Sequence, residues 1–271
     1  MDRRVALLKE FSRGFVNGTV KIETEQYGFA FLEHLLSGGG RLEYGELSPT
    51  RLLHKYKLVD VPELRMDAFL RAHVEKSLNV CRYFHAAAND TFCFNLDNNH
   101  TSNNTVVLPE MTLAVRTLRD CLTGVGCEPL VVASGRGYHV WCRLEDPVEN
   151  GALYAFMLHA AVRSVKALHE HGFDPNTVKF NFYPDVRTND VVSLRLFGSE
   201  HAKTKAFSHV WADGELLDET RSWDRFEDFL RNQSIAASAF ERAEDALRIP
   251  STPLSEMLGV EIPELVVRQA K

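Results

Sequence analysis

The sequence predicts an α/β (α+β) fold in which a mixed or antiparallel sheet is flanked by helices. Strand-like and helix-like segments alternate after Thr91, which is typical of sheet and helices in one unit. Gly135 and Gly137 separate two apolar segments, which indicates an antiparallel hairpin. Hydrophobic residues make up 45% of the 271 residues, enough for the core of one large domain or of two closely packed modules.

Residues 1–90 are predicted to form a mainly helical part that packs on the rest of the chain. Apolar residues recur at helical spacing through Val5, Leu8 and Phe11, and again between Phe69 and Leu78. Three consecutive glycines at 38–40 indicate a loop between these segments. The pattern is compatible with a platform for a ligand and with a partner-docking face.

Residues 91–235 are predicted to form the central unit. Its strands are expected at 92–97, 129–134, 138–144, 178–183 and 191–197. Its helices are expected at 110–123, 151–172 and 222–231, with Gly124 ending the first and Ser222 as the N-cap of the third. Residues 236–271 are predicted to form a peripheral helix and a proline-punctuated linker tail, which is compatible with a further domain after Lys271.

Charge and cysteine content limit the class of protein. The formal net charge of -6 argues against non-specific coating of nucleic acid, which needs many Lys and Arg contacts to phosphates. Five cysteines without a C-x-x-C pair indicate reduced thiols. No run of about 18 apolar residues is present, and the first residues do not form a secretory signal. We therefore expect a soluble cytoplasmic protein with no membrane partner and with only local contacts to any nucleic acid.

The first candidate motif is the strand 92–97, which ends in Asn-Leu-Asp. Because alternate residues of a strand share a face, Asn95 and Asp97 are expected to point away from the apolar residues of the strand. Oxygen ligands at a strand end suit Mg²⁺ or Mn²⁺, and a pair of such ions can promote phosphoryl transfer. The same residues also fit a strand that simply runs into a polar turn.

The second candidate motif is the hairpin tip 134–139, Ser-Gly-Arg-Gly-Tyr-His. Gly135 and Gly137 expose backbone N–H groups that can approach phosphate oxygens, and Arg136 adds a positive charge. His139 can donate a hydrogen bond to a triphosphate or protonate a leaving pyrophosphate. An ordinary glycine hairpin with a surface histidine is the alternative interpretation.

The third candidate motif covers residues 195–204. In the strand 191–197, alternation places Ser193 and Arg195 opposite the apolar residues. The loop that follows can bring Lys203 to the same phosphates as the hairpin. Asp185 or Asp190 would supply a further carboxylate, and a turn-forming Pro-Asp pair is the alternative interpretation of Asp185.

The order of these motifs resembles the archaeo-eukaryotic primase superfamily, in particular the small catalytic primase subunit and the primase-polymerases. That family has two aspartates separated by one residue on a strand, a Ser-Gly-x-Gly-x-His hairpin, a further aspartate, and an Arg-x-Pro-Gly-Ser-x-His-x-Lys-Thr segment. The corresponding positions here are Asn95 and Asp97, 134–139, Asp185, and 195–204. A weaker match lies at 22–29, so the resemblance spans roughly residues 20–210.

The resemblance implies a primase-like catalytic core and a template-directed nucleotidyltransferase. Such an enzyme joins NTPs or dNTPs on a single-stranded DNA template with a primer, and a large primase subunit, a helicase or another replication or repair domain can be its partner. Two Mg²⁺ or Mn²⁺ ions would be held by Asn95, Asp97 and Asp185, with His139 as a further catalytic residue. The residues that would bind the nucleotide phosphates are Ser134, Gly135, Arg136, Gly137, His139, Arg195, Ser199, His201 and Lys203.

The chain departs from the family pattern at two positions. Asn95 stands where the family has an aspartate, and Phe197 stands where it has a proline. An amide oxygen can bind a metal ion, but it brings one negative charge fewer. Asn95 therefore fits a naturally impaired protein or a chain altered to trap substrates. It keeps open a catalytically silent protein that binds nucleic acid or nucleotide in a replication or defence system.

A metal-dependent phosphohydrolase or nuclease is a third alternative, although such an enzyme has no evident need for the 195–204 segment. Structural zinc is not expected. Cys81 and His85 are spaced to share one face of a helix, but the cysteines show no paired metal-ligand spacing. Free cysteines are more often buried apolar residues.

Overall fold

The structure is a computed structural model, and it describes residues 2–16, 19–24, 55–60, 63–98, 108–186, 192–201, 204–232 and 234–247. The helices within these ranges are α1 (Arg3–Ser12), α2 (Glu63–Val74), α3 (Pro109–Gly124), α4 (Asn150–Glu170), α5 (Glu219–Asn232) and α6 (Ala237–Leu247). The strands within them are β1 (Thr19–Thr24), β2 (Lys55–Asp60), β3 (Asn79–Tyr83), β4 (Ala88–Asn98), β5 (Leu130–Ala133), β6 (Gly137–Glu149), β7 (Val178–Tyr183), β8 (Ser193–Arg195), β9 (Trp211–Ala212), β10 (Glu215–Leu216) and β11 (Ser234–Ile235). A short 3-10 turn covers Pro175–Thr177.

The larger sheet has the strand order β11-β6-β4-β7, with β5 also paired to β6. Its strand pairs are antiparallel except for β11 with β6, so the sheet is mixed. The predicted hairpin is present, because β5 and β6 pair from Leu130 opposite Trp141 to Ala133 opposite Tyr138. Strand β4 lies between β6 and β7, which places it in the interior of the sheet.

The smaller sheet is antiparallel and has the order β2-β1-β3-β8. Three of its strands belong to the first 90 residues, so the prediction of a mainly helical part is wrong for the described residues of that segment. The two expected helices are present there as α1 and α2. Periodicity misses β3 because every residue of this short strand is buried, which removes the alternation of apolar and polar residues. The division of the chain at residues 90 and 235 stays a prediction.

Two apolar cores lie on the two faces of the larger sheet. One is shared by both sheets and by α1, α2 and α5, and its buried side chains include Phe11, Phe69 and Trp141. The other packs the opposite face of the larger sheet against α3, α4 and α6, and it includes Phe94 and Phe156. The predicted α/β class, with a mixed sheet flanked by helices, is therefore confirmed.

The helices of the central unit lie close to their predicted positions, with one difference in α5. Ser222 is not its N-cap but a buried residue in its first turn, where its hydroxyl donates to the carbonyl of Leu217 and accepts from the N–H of Val210. The helix begins after Asp218, whose carboxylate accepts a hydrogen bond from the N–H of Arg221 at 2.9 Å. Aspartate is at least as good an N-cap as serine, which explains the earlier start.

The third predicted motif forms less regular structure than expected. The strand expected at 191–197 is a strand only at Ser193–Arg195.

A helix is present at Ala237–Leu247, and residues 248–271 of the predicted tail lie outside the described residues. None of the helices in the described part of the chain has the length and apolar character needed to cross a bilayer.

A buried amide cluster fixes the turn between β3 and β4 to the start of α4. The Asn89 side chain accepts from the N–H of His85 at 2.8 Å and donates to the side-chain oxygen of Asn150 at 2.7 Å. Asn150 in turn donates to the carbonyl oxygens of His85 and Ala86. Asn89 and Asn150 are both buried, so each of these hydrogen bonds is shielded from water.

We expect the Asn89→Ala substitution to lower the free energy of unfolding by about 2 kcal/mol, because it leaves buried partners of Asn89 without hydrogen bonds. Urea unfolding measures the change. Asn176→Ala is the matched control, since Asn176 bonds Asp174 on the surface, and its effect should stay within about 0.5 kcal/mol. Equal effects of the two substitutions would contradict a stabilising role of the amide cluster.

Candidate functional site

Strand β4 carries the first predicted motif into the interior of the larger sheet. Cys93 faces the core shared by the two sheets, whereas Phe92 and Phe94 face the core formed with α3, α4 and α6. Asn95 and Asp97 follow Cys93 at alternate positions and so share its face. The structure therefore shows the orientation expected for both side chains.

The strands beside β4 bring further polar residues to this face. Asn95 lies opposite His139 on β6 and opposite Asn181 on β7. Asp97 lies opposite Gly137 at the start of β6. Directly opposed residues of antiparallel strands have Cβ atoms about 5 Å apart on one face of the sheet. The strand motif and the hairpin motif are thus parts of one site.

Asn95, Asp97 and Asn181 form what we name the amide–carboxylate cluster. Asn95 Nδ2 donates to Asp97 Oδ2 at 3.1 Å, and Asn181 Nδ2 donates to the same oxygen at 3.5 Å. Asn95 is 9% exposed, and its Oδ1 is buried without a hydrogen-bond partner among the described residues. Such an oxygen is costly unless a hydrogen-bond donor, a water molecule or a cation satisfies it.

No local sequence pattern marks Asn181. The sequence predicts its strand, and alternation within that strand places Asn181 and Tyr183 on one face and Phe180 and Phe182 on the other. What the sequence lacks is the register that sets Asn181 opposite Asn95. Register depends on strand pairing, which a single sequence does not specify.

Tyr183 connects the cluster to Asp185. Burial, together with the nearby Cys93 and Asp97, raises the pKa of Tyr183 to about 12. Asp185 acts in the same direction, while a hydrogen bond with the Asn95 side chain lowers this pKa. The Tyr183 hydroxyl is therefore protonated at pH 7, and Asp185 lies within electrostatic range of it. The competing candidate, Asp190, lies outside the described residues.

The glycines of the hairpin allow close contacts on both of its sides. A methyl group on Gly137 would overlap the carbonyl oxygen of Leu96 in β4. Gly135 has a φ of 105°, and a Cβ added there would lie 2.6 Å from the Cβ of His201. Glycine is needed at both positions, because side chains would displace β4 or the His201 segment.

Arg195 joins the third motif to the hairpin. Its Nη2 donates to the carbonyl oxygen of Ser134 at 2.9 Å. Ser134 is buried, and its own N–H donates to the carbonyl oxygen of Gly137 at 2.8 Å, which closes the hairpin tip. Since Arg195 belongs to β8 of the smaller sheet, this hydrogen bond connects the two sheets at the site.

His139 is buried beside two groups that carry or can carry positive charge. Burial is the largest cause of a shift that lowers the pKa of His139 to about 3, and the charges of Arg195 and His201 contribute to the same shift. His139 is therefore neutral at pH 7 and can donate one N–H. His201 Nδ1 accepts a hydrogen bond from the N–H of Thr204 at 3.1 Å, so a neutral His201 ring carries its proton on Nε2.

The remaining predicted phosphate-binding residues have different positions. Arg136 lies at the hairpin tip, and its buried Nε has no hydrogen-bond partner among the described residues. Ser199 is 1% exposed and its hydroxyl bonds that of Ser208 at 2.7 Å, so a role in phosphate binding stays a prediction. Lys203 lies outside the described residues.

The amide–carboxylate cluster offers oxygen donors that suit a hard divalent cation. The unpartnered Asn95 Oδ1 fits such an ion, and the Asp97 carboxylate supplies one negative charge. Within the described ranges, His, Cys, Asp and Glu side chains form no group of three or more that could hold a metal. Cys81 lies in β3 and not on a helix, which removes the geometry considered for zinc with His85.

Comparisons with known proteins find similarity among solved structures. No protein-family model and no curated protein match the chain. The Polymerase Domain from Mycobacterium tuberculosis Ligase D in complex with DNA is 14% identical, with a TM-score of 0.35, over 94% of this chain and 90% of that chain. The AEP domain of the Cyanophage S-2L Primase-Polymerase is 12% identical, with a TM-score of 0.33, over 84% of this chain and 96% of that chain. TM-scores of this size do not establish a shared fold, so a functional proposal depends on the side chains of the site.

Proposed function

We propose that the chain is a template-directed nucleotidyltransferase of the primase-polymerase kind, a member of the archaeo-eukaryotic primase superfamily that joins NTPs or dNTPs on a primed single-stranded DNA template. The observation that supports this proposal is the meeting of three separate sequence motifs in one site. Asn95 lies opposite His139 in the sheet, and Arg195 bonds the hairpin tip that precedes His139. Motifs 100 residues apart in the chain thus combine oxygen ligands with groups that bind anions.

The site has a cationic side that suits the triphosphate of a nucleotide and an oxygen-rich side that suits a metal ion. Arg136 and Arg195 carry fixed positive charge, and the neutral His139 donates one hydrogen bond, so this side binds a triphosphate. Asp97 and Asn95 lie on the neighbouring strand and present oxygen atoms. Phosphoryl transfer depends mainly on positioning and on stabilising charge, which these groups provide without forming a covalent bond.

A divalent cation fits the oxygen side of the site. Asn95, Asp97 and Asp185 are the residues that would hold Mg²⁺ or Mn²⁺, which when bound activates an attacking 3′-hydroxyl and neutralises charge on a leaving pyrophosphate. The residues of the chain orient the nucleotide between that side and Arg195. The hydrogen bond of Arg195 to Ser134 keeps the guanidinium beside the hairpin before any ligand binds.

A catalytically silent nucleotide- or nucleic-acid-binding protein is the second candidate function. The Asn95 side chain favours it, because this amide donates to Asp97 in a position where a carboxylate would repel Asp97 and attract a cation. Arg136, Arg195 and His139, which would bind the triphosphate, do not depend on a carboxylate at position 95. Nucleotide binding would then persist while synthesis is lost.

Primer extension with Mn²⁺ tests the proposal. We expect the Asn95→Asp variant to extend a labelled primer on single-stranded DNA at least about ten times faster than the unchanged chain, because an added carboxylate strengthens cation binding. Asn98→Asp adds the same charge on the opposite face of β4 and should give no gain. If neither the chain nor Asn95→Asp extends the primer, the nucleotidyltransferase proposal is wrong.

Nucleotide binding in the same proteins separates the two candidates. If Arg136→Ala weakens nucleotide binding and the exposed Arg116→Ala does not, while Asn95→Asp still makes no product, the silent binding protein is the better account. Absence of nucleotide and template binding in the unchanged chain would contradict both.

A further inference from the structure

We propose that Asn181 is a second residue, with Asn95, that limits the affinity of this site for divalent cations. The inference rests on the proposed function, because it concerns the same site and the ion that synthesis would use. It adds a residue on β7 that no sequence motif marks. In this view the amide–carboxylate cluster holds one carboxylate, that of Asp97, between two amides, and each amide occupies a position from which a carboxylate would reach the ion.

The register of the sheet supports the equivalence of the two amides. Asn95 and Asn181 lie directly opposite each other on β4 and β7. Each donates through Nδ2 to the same atom, Asp97 Oδ2, at 3.1 Å and 3.5 Å. A side chain at position 181 therefore reaches the Asp97 carboxylate from the neighbouring strand β7. The side chain at position 95 reaches the same carboxylate from its own strand, β4.

The hydrogen bonds also show what the amides do to Asp97. Two N–H donors on one carboxylate oxygen satisfy charge that a cation would otherwise neutralise. Neither amide adds negative charge, so within the cluster a dication meets only the one negative charge of Asp97, in addition to the charge of Asp185. The buried Asn95 Oδ1 has no hydrogen-bond partner among the described residues, so this oxygen is available to a cation.

We expect Asn181→Asp to raise Mn²⁺ affinity about ten-fold, as Asn95→Asp does, and the double variant to exceed either single variant by a similar factor. Electron paramagnetic resonance of free Mn²⁺ measures binding without any substrate. Asn98→Asp is the matched control, because Asn98 follows Asp97 and its side chain points to the opposite face of β4. A gain for Asn181→Asp no larger than that for Asn98→Asp would overturn the proposal.

A charge-exchange variant keeps the test decisive if an added carboxylate prevents folding. Asp97→Asn alone should remove the Mn²⁺ binding of the unchanged chain. Asp97→Asn combined with Asn181→Asp has the same side-chain composition as the unchanged cluster. We expect it to restore Mn²⁺ affinity to within about three-fold of the unchanged chain. Failure of this folded double variant to bind Mn²⁺, with the unchanged chain binding it, would show that position 181 does not reach the ion.

Failure of this inference can be distinguished from failure of the proposed function. If Asn95→Asp extends primers but Asn181→Asp leaves Mn²⁺ affinity unchanged, only the inference is wrong. If Asn181→Asp gains Mn²⁺ affinity while no variant extends a primer, the inference holds and the synthesis proposal is wrong.

Discussion

Replacing Gly137 with alanine is expected to destabilise the protein by about 3 kcal/mol and to displace the hairpin from the site. The added methyl group would overlap the carbonyl oxygen of Leu96, which is backbone in the interior strand β4. This oxygen cannot move aside without disturbing the pairing of Asp97 with Gly137. The substitution thus acts on the sheet and on the position of His139 together.

Urea unfolding and nucleotide binding measure the two effects. Gly151→Ala is the matched control, because a Cβ at Gly151 meets no atom within 4 Å and the residue lies in α4. Its stability should be unchanged or slightly higher, since alanine favours helix more than glycine does. A Gly137→Ala protein as stable as Gly151→Ala would show that β4 and β6 separate easily.

Acid is expected to remove about 3 kcal/mol of stability through His73 alone. Burial lowers the pKa of His73 from 6.5 to about 4, and the charge of Arg195 acts in the same direction. A hydrogen bond to the Phe197 carbonyl opposes this shift. His73 Nδ1 accepts from the N–H of Val80 at 3.0 Å and Nε2 lies 2.9 Å from the Phe197 oxygen, so the ring is satisfied only when neutral.

The direction in which stability changes with pH follows from proton binding by the folded and the unfolded chain. Between pH 6.5 and about 4 the unfolded chain protonates His73 while the folded chain does not, so stability rises with pH across this window. The contribution is complete above pH 6.5 and is lost progressively as pH falls toward 4. The difference between the pKa of 6.5 in the unfolded chain and about 4 in the folded chain corresponds to about 3 kcal/mol. His139, whose pKa is lowered to about 3, adds a loss of the same sign that also begins near pH 6.5 and continues down to about pH 3.

Unfolding free energies measured from pH 7 to pH 4 test this expectation. His73→Gln cannot titrate, so it should be less stable at pH 7 but lose less stability on acidification. The exposed His171→Gln is the control and should retain the full pH dependence. An unchanged pH dependence in His73→Gln would assign the acid sensitivity to other groups.

The sequence predicts helices and strands whose pattern of apolar residues or glycines lies within one continuous segment of the chain. Met111, Leu118 and Leu122 follow the helical period in α3, and the glycines at 135 and 137 mark the hairpin. These features depend on residues a few positions apart, which a single sequence contains in full. The α/β class follows from them.

The smaller sheet could not be predicted in the same way. Its strands pair across distances such as Cys81 with Arg195, more than 100 residues apart in the chain. Strand β8 has only three residues and β3 is buried throughout, so neither shows a period of two. Their stability comes from pairing and packing and not from local propensity.

The candidate site shows the same limit. Asn95, Asp97 and His139 could be selected because each belongs to a recognisable local pattern, and the sheet places them together. Asn181 has no such pattern and gains its position only from the register of β7. The roles assigned to all four residues stay predictions until binding and extension are measured.

The hydrogen bond between Arg195 and Ser134 has a consequence for the size of the ligand. Arg195 belongs to one sheet, whereas Asn95 and His139 belong to the other, so the distance across the site depends on how the two sheets pack. That distance is set by the aromatic rings packed between the sheets, including the stacked pair Phe84 and Trp141. Side chains that do not contact the ligand therefore help to determine the size of the ligand that the site accepts. A change of ring size between the sheets would alter which ligands fit.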